Sequence, residues 1–144
     1  YHMSKVSNIL ARKGNQVATV SPDTSVIDAL RMMAEKNIGS VVVAENDQFL
    51  GILTERDYSR KVILLGRNST KTPVSEIMSS DFPAVATTDS IEHCMQLMSS
   101  RHIRYLPVMI DNKLAGIISM NDVVTETILN QKETITQLEN YLQS

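Results

Sequence analysis

A mixed α/β (α+β) fold is predicted, with two pseudo-symmetric β-α-β-β-α repeats and a long C-terminal helix. Three observations predict it. The heptad Gly51-Ile52-Leu53-Thr54-Glu55-Arg56-Asp57 returns as Gly116-Ile117-Ile118-Ser119-Met120-Asn121-Asp122, offset by 65 positions. At that offset residues 20–57 lie on 85–122 without a gap. Within each copy the hydrophobic period changes from that of a helix to that of strands.

The repeat is dense. Identical pairs include Val20/Val85, Ser25/Ser90, Met33/Met98, Ile38/Ile103, Val43/Val108 and Gly51/Gly116. Ahead of this block the offset becomes 68, placing Val6-Ser7-Asn8-Ile9-Leu10 on Val74-Ser75-Glu76-Ile77-Met78, so the first copy carries three extra residues around Arg12 to Gln16. The expected division is 3–66 for the first repeat with a lead-in helix, 67–73 for a linker without structure of its own, and 74–144 for the second repeat with its helical extension.

Each element follows from local pattern. Val17 to Val20 is β-prone and stops at Pro22, which cannot donate to a ladder. Ser25 to Lys36 is helical: Val26, Ala29, Leu30 and Met33 form one apolar stripe, and Ser25-x-x-Asp28 resembles a capping box. The second stripe is Ile91, Cys94, Met95 and Met98. Strands at Val41–Ala44 and Leu106–Ile110 lead through polar turns, Glu45 to Gln48 and Asp111 to Lys113, into strands ending at Thr54 and Ser119. Gly51 and Gly116 read as turn residues opening those strands. A helix then starts at each hydroxyl residue. The first stops at Gly66, a residue suited to a helix C-terminus, and the second runs from Asn121 towards Tyr141. Neither copy alone covers both faces of its small sheet, so the copies are expected to pack on each other through those sheets.

Composition excludes several classes. The 144 residues are 42% hydrophobic and 21% charged, enough for a real core in one module. A formal net charge of −2 gives no drive towards nucleic acid or anionic lipid. No apolar run is long enough to span a membrane, and no secretory signal is evident. The single cysteine fits a reducing, cytoplasmic setting. Tyr1-His2 before Met3 reads as an expression scar.

The repeated heptad is a binding device in outline. A hydroxyl residue at a helix start leaves free backbone N–H groups and the positive dipole end pointing outward, which suits a phosphate. An acid three residues on, Asp57 or Asp122, can accept two hydrogen bonds from a vicinal diol such as that of a ribose. Taken alone, each copy reads more simply as a capped helix with an acid complementing its dipole. Recurrence in register is what favours a nucleotide.

With these residues in view, the chain resembles a tandem pair of CBS domains, a Bateman module. The resemblance rests on Ile38 to Val43 with Gly51 to Asp57, and on His102 to Val108 with Gly116 to Asp122. It implies a non-enzymatic sensor of an adenosine ligand (AMP, ADP, ATP, NAD or S-adenosylmethionine, with AMP or NAD foremost) held in clefts between the repeats. By the same resemblance Asp122 would hold a ribose, with Ser119, Asn121 and Arg104 near phosphate and Ala18 and Thr19 against the base. Asp57 would serve a second cleft with Thr54, Arg56 and Ala84, while Ile38 and Ile103 would supply apolar walls. Arg104 answers to Gly39 in the first repeat, so the clefts are expected to be unequal. The family's usual assembly, a flat homodimer, would give a symmetry mate to the heptad-like seam Ile128, Ile135, Leu138 and Leu142; packing on its own domain is the other reading. The alternative function is a protein-interaction module acting on a partner such as a redox protein, without a nucleotide.

Catalytic and metal sites are not expected. Cys94 aligns with Ala29 on the buried stripe, His93 points about 100° away, and His102 stands about 12 Å further along a continuous helix. That separation exceeds the hydrogen-bond reach that activates a nucleophile. No zinc-ligand spacing occurs. Glu55, beside the proposed phosphate, lacks a base and clustered ligands for metal-assisted hydrolysis. The methionines, eight in all, read as core filler.

Overall fold

The structure is a computed structural model that describes residues 4–14 and 16–143; the expectation about Tyr1-His2 lies outside the described residues. In chain order the first elements are α1 (Val6–Lys13), β1 (Thr19–Val20), α2 (Val26–Lys36), β2 (Ser40–Glu45) and β3 (Gln48–Thr54). Next come α3 (Glu55–Tyr58), continued by a wider π turn at Ser59–Ile63, and a 3-10 turn at Val74–Glu76. The chain closes with α4 (Ile91–Arg101), β4 (Tyr105–Ile110), β5 (Lys113–Ser119) and α5 (Met120–Gln143).

The chain forms two compact units. One holds Val17–Phe82 with Asn112–Leu114; the other holds the described residues of 4–16, Pro83–Asp111 and 115–143. The first unit carries a sheet of order β1-β2-β3, with β1 parallel and β3 antiparallel to β2. Val41, Val43 and Leu53 face a core that also takes Val26, Ala29 and Met33 of α2. Val42 and Ile52, paired on the opposite sheet face, are buried as well. In the second unit β4 and β5 form the sheet, and Val85 bridges Val108 in parallel as Val20 bridges Val43. Its core repeats the first position by position: Val85, Ile91, Cys94, Met98, Leu106, Val108 and Ile118.

Local chemistry explains where elements begin and end. Ser25 and Ser90 cap α2 and α4 by accepting the N–H groups of Asp28 and His93. The expected box at Ser25 is half formed, because Asp28 pairs with Arg31 at 3.2 Å instead of reaching back. Both helices end on a left-handed residue, Asn37 (φ 53°) and His102 (φ 56°). Met95 departs from the expected stripe and is 37% exposed. It sits at the edge beside α5, where the Thr127 hydroxyl meets its sulfur at 3.7 Å.

The hairpin turns are shorter than expected, two residues each. Asn46-Asp47 and Asp111-Asn112 have positive φ at both positions, the primed-turn geometry that matches strand twist and that Asn and Asp tolerate. Gly51 and Gly116 are not turn residues: they lie within β3 and β5. A Cβ on Gly51 would stand 2.8 Å from both the Met78 sulfur and the Ser79 carbonyl oxygen, and one on Gly116 would stand 2.8 Å from Leu10 Cδ2. Each glycine is small so that a lead-in segment can cross its strand.

Those lead-ins are exchanged. In sequence α1 precedes the first repeat, yet Val6, Ile9 and Leu10 join the core of the second. Val74 and Ile77 join the core of the first. The exchange satisfies helix ends. Ser4 carbonyl accepts the N–H of Ile91, while Asp89 and Thr87 carbonyls accept Val6 and Ser7. In the other unit Thr72 and Ser69 carbonyls accept the N–H groups of Val26 and Ile27. Carbonyls of the 67–73 segment thus cap otherwise unpaired donors at the start of α2.

This packing predicts unequal costs for filling the two glycine sites. Gly51→Ala meets a backbone carbonyl and is expected to lose about 1–3 kcal/mol. Gly116→Ala meets only the end of a leucine side chain and should lose less. Urea unfolding midpoints check the order; equal midpoints would refute the crossing argument.

Candidate functional site

Both repeated heptads fold into reciprocal helix caps. Thr54 Oγ1 accepts the Asp57 N–H at 3.1 Å, and Asp57 Oδ2 accepts the Thr54 N–H at 3.1 Å. Ser119 Oγ accepts the Asp122 N–H at 3.1 Å, and Asp122 Oδ2 accepts the Ser119 N–H at 2.8 Å. The capping role foreseen for one copy is thus present in both, and it consumes one carboxylate oxygen each.

What remains on each acid differs. Asp57 is 8% exposed. Its Oδ2 takes a further bond from the Thr54 hydroxyl, and its Oδ1 takes the Ser79 hydroxyl at 3.1 Å and the Lys61 ammonium at 3.3 Å. Lys61 is held in turn by the Ile77 carbonyl at 3.1 Å. Both oxygens of Asp57 are spoken for. In Asp122 the second bond falls on the same oxygen as the cap: Lys13 Nζ meets Oδ2 at 2.7 Å and the Ile117 carbonyl at 2.9 Å. Among the described residues no donor meets Asp122 Oδ1.

The surroundings of Asp122 are built from α1 and α5. Arg12, beside Lys13, pairs at 3.1 Å with Glu126, whose side chain is only 5% exposed. A groove of about 280 Å³ is lined by Ile9, Arg12, Lys13, Asp122, Thr125 and Glu126. Arg104 is exposed, and its carbonyl accepts the N–H of Met120, so it borders the start of α5 beside Ser119 and Asn121. One unit therefore gathers Asp122, Ser119, Asn121, Arg104, Ile103 and Ala84; Ile103 is half-buried against the core and Ala84 is exposed. The other gathers Asp57, Thr54, exposed Arg56, half-buried Ile38 and Ala18, and exposed Thr19 on β1.

Sequence reasoning passed over Lys13, Lys61, Ser79, Arg12 and Glu126. A signal existed for them. Four residues after each aspartate stand Lys61 and Glu126, opposite charges at matching places, and Arg12-Lys13 sits in the three-residue excess that shifts the repeat offset.

The residues set aside as non-catalytic occupy other places. His93 and His102 are exposed, the latter as the left-handed end of α4. Among the described residues no group of three His, Cys, Asp or Glu side chains could hold a metal ion. Cys94 is fully buried; burial first, then the nearby Asp89 charge, pushes its thiol up to about 11.

The fold and these motifs place the chain in the CBS-domain family, whose domain model matches residues 6–63 and 74–128. It is a CBS-domain pair. The mitochondrial CBS domain-containing protein CBSX3 of Arabidopsis thaliana is 32% identical across 99% of this chain and 74% of its own length. YhcV of Bacillus subtilis, also a CBS domain-containing protein, is 35% identical across 90% of this chain and 89% of its own. Among solved structures, a putative signal-transduction protein with CBS domains from Burkholderia ambifaria is 41% identical, with a TM-score of 0.83 over 89% of this chain and 96% of its own. Stand-alone CBS-domain proteins are generally regulatory modules.

The state of Cys94 gives a direct check. At pH 8 a thiol titrating near 11 is thiolate on the order of one part in a thousand, and the thiolate is the reactive form. A disulfide-exchange chromophore should leave the native chain unlabelled for minutes and label it at once in denaturant. Fast native labelling would contradict the burial.

Proposed function

We propose that this chain is a regulatory module that binds an adenosine nucleotide, AMP or NAD foremost, at the Asp122 heptad. The observation that carries this reading is the unmatched oxygen Asp122 Oδ1 at the start of a long helix, where Asp57 has none. In the proposed complex Oδ1 accepts the ribose diol. The phosphate lies against the N-terminal turn of α5, with Ser119, Asn121 and Arg104 supplying donors. A CBS-domain protein of Pyrobaculum aerophilum has been solved in complex with AMP, which supports adenosine as the nucleoside. Regulation follows if the bound chain favours one arrangement of its output surface over another.

That output surface is proposed to be α5. Ile128, Ile135, Leu138 and Leu142 are between 47% and 81% exposed, so this chain alone does not cover the heptad-like seam. A second copy related by a two-fold axis would cover it. Among the described residues no helix is long and apolar enough to cross a membrane.

Thermal shift with AMP, ADP, ATP, NAD and S-adenosylmethionine tests the ligand. A ligand at 100 times its Kd should stabilise the chain by about 2.7 kcal/mol. Asp122→Asn should lose at least about tenfold in affinity while Asp57→Asn keeps it; the reverse order would transfer the site to Asp57. No shift with any ligand would reject the nucleotide and leave the interaction-module reading. For the seam, sedimentation velocity should show a dimer that Leu138→Glu converts to monomer. A wild-type monomer at tens of micromolar would remove the dimer.

A further inference from the structure

We infer that Lys13 determines ligand charge, making the Asp122 site select phosphorylated adenosines over adenosine itself. The inference rests on the nucleotide reading above and goes beyond it, because Lys13 lies outside the repeated heptad, on the last turn of α1.

The reasoning begins with a conflict. A carboxylate suits the diol of a ribose, but its charge repels the phosphate on the same ligand, and the repulsion is felt most where solvent is partly excluded. The Asp122 side chain is only 22% exposed. Lys13 removes the conflict without occupying the site. Its ammonium bonds Oδ2 at 2.7 Å, the oxygen that already serves the helix cap, and leaves Oδ1 unmatched.

The ammonium is also held in place. The Ile117 carbonyl fixes it at 2.9 Å, and the remaining N–H of its three has no acceptor among the described residues. A four-carbon stem that is one-third exposed lets that donor turn towards the phosphate at the start of α5.

The first repeat shows what the alternative looks like. There the counter-charge, Lys61, comes from four residues further along the chain and pairs with Oδ1, the oxygen that the cap leaves over and that a diol would need. In the second repeat that helical place is Glu126, neutralised by Arg12. The cation for Asp122 comes from α1 instead and meets Oδ2, the oxygen that already serves the cap. One acid thereby has both oxygens bonded, and the other has its charge compensated with Oδ1 left unmatched.

Titration calorimetry of the full chain with AMP, NAD and adenosine tests this. Wild type is expected to prefer AMP to adenosine. Lys13→Met should weaken AMP and NAD by about tenfold and leave adenosine equal or tighter; Lys13→Arg should keep the wild-type preference. Lys13→Gln is the second neutral variant, and circular dichroism melts verify that each protein folds. Equal losses of AMP and adenosine in Lys13→Met would overturn the role of Lys13 with the nucleotide site intact. Wild type that binds none of the three would overturn the nucleotide reading itself.

Discussion

The first N–H groups of a helix have no partner inside it, and both principal helices here solve that problem with a segment from elsewhere in the chain. Ser69 and Thr72 supply carbonyls to α2, while Ser4 supplies one to α4. Much else depends on this arrangement. It sends Val6 and Leu10 into one core and Val74 and Ile77 into the other. It brings a lead-in across each second strand, and so requires glycine at 51 and 116. It also carries Arg12 and Lys13 to α5, where they complete the surroundings of Asp122.

Two copies of a motif need not make two copies of a site. The backbone plan is shared: hydroxyl cap, acid, helix. The divergence lies in charges just outside the heptad. Lys61 turns Asp57 into a fully bonded, buried acid that fastens α3 to the Ile77–Ser79 segment. Such an acid is best read as structure, since breaking its bonds would expose several buried polar groups at once. Glu126 in the matching place leaves Asp122 dependent on a cation from α1. A single lysine-to-glutamate difference thus separates an acid with both oxygens bonded from one with an oxygen left over.

The parts legible in the sequence are those set by local period and by duplication. The two apolar stripes, the hairpins and the C-terminal helix all follow from residues close to one another, and the ungapped repeat fixed which acids matter. Three features escaped for one shared reason, distance along the chain. The exchanged lead-ins, the strand crossings at Gly51 and Gly116, and the pairing of Lys13 with Asp122 each join residues far apart in sequence. Glycine in a strand-like run signals close backbone approach, and that signal was present; it was read as a turn because the crossing segment is remote. Met95 was misplaced for a smaller reason, since a stripe's edge is decided by the neighbouring helix and not by its own period.

Charge placement also explains why the same fold can host unequal chemistry without cost to its core. Most of the buried positions that define each unit match pairwise and differ only by apolar exchange, as Leu53 with Ile118 or Ala29 with Cys94. None of those exchanges reaches a carboxylate. The residues that distinguish the two acids, Arg12, Lys13, Lys61 and Glu126, lie outside both apolar cores. The charges around the acids can therefore vary while the core stays fixed, and Lys13 sits on the last turn of α1, beside the place where the repeat offset changes.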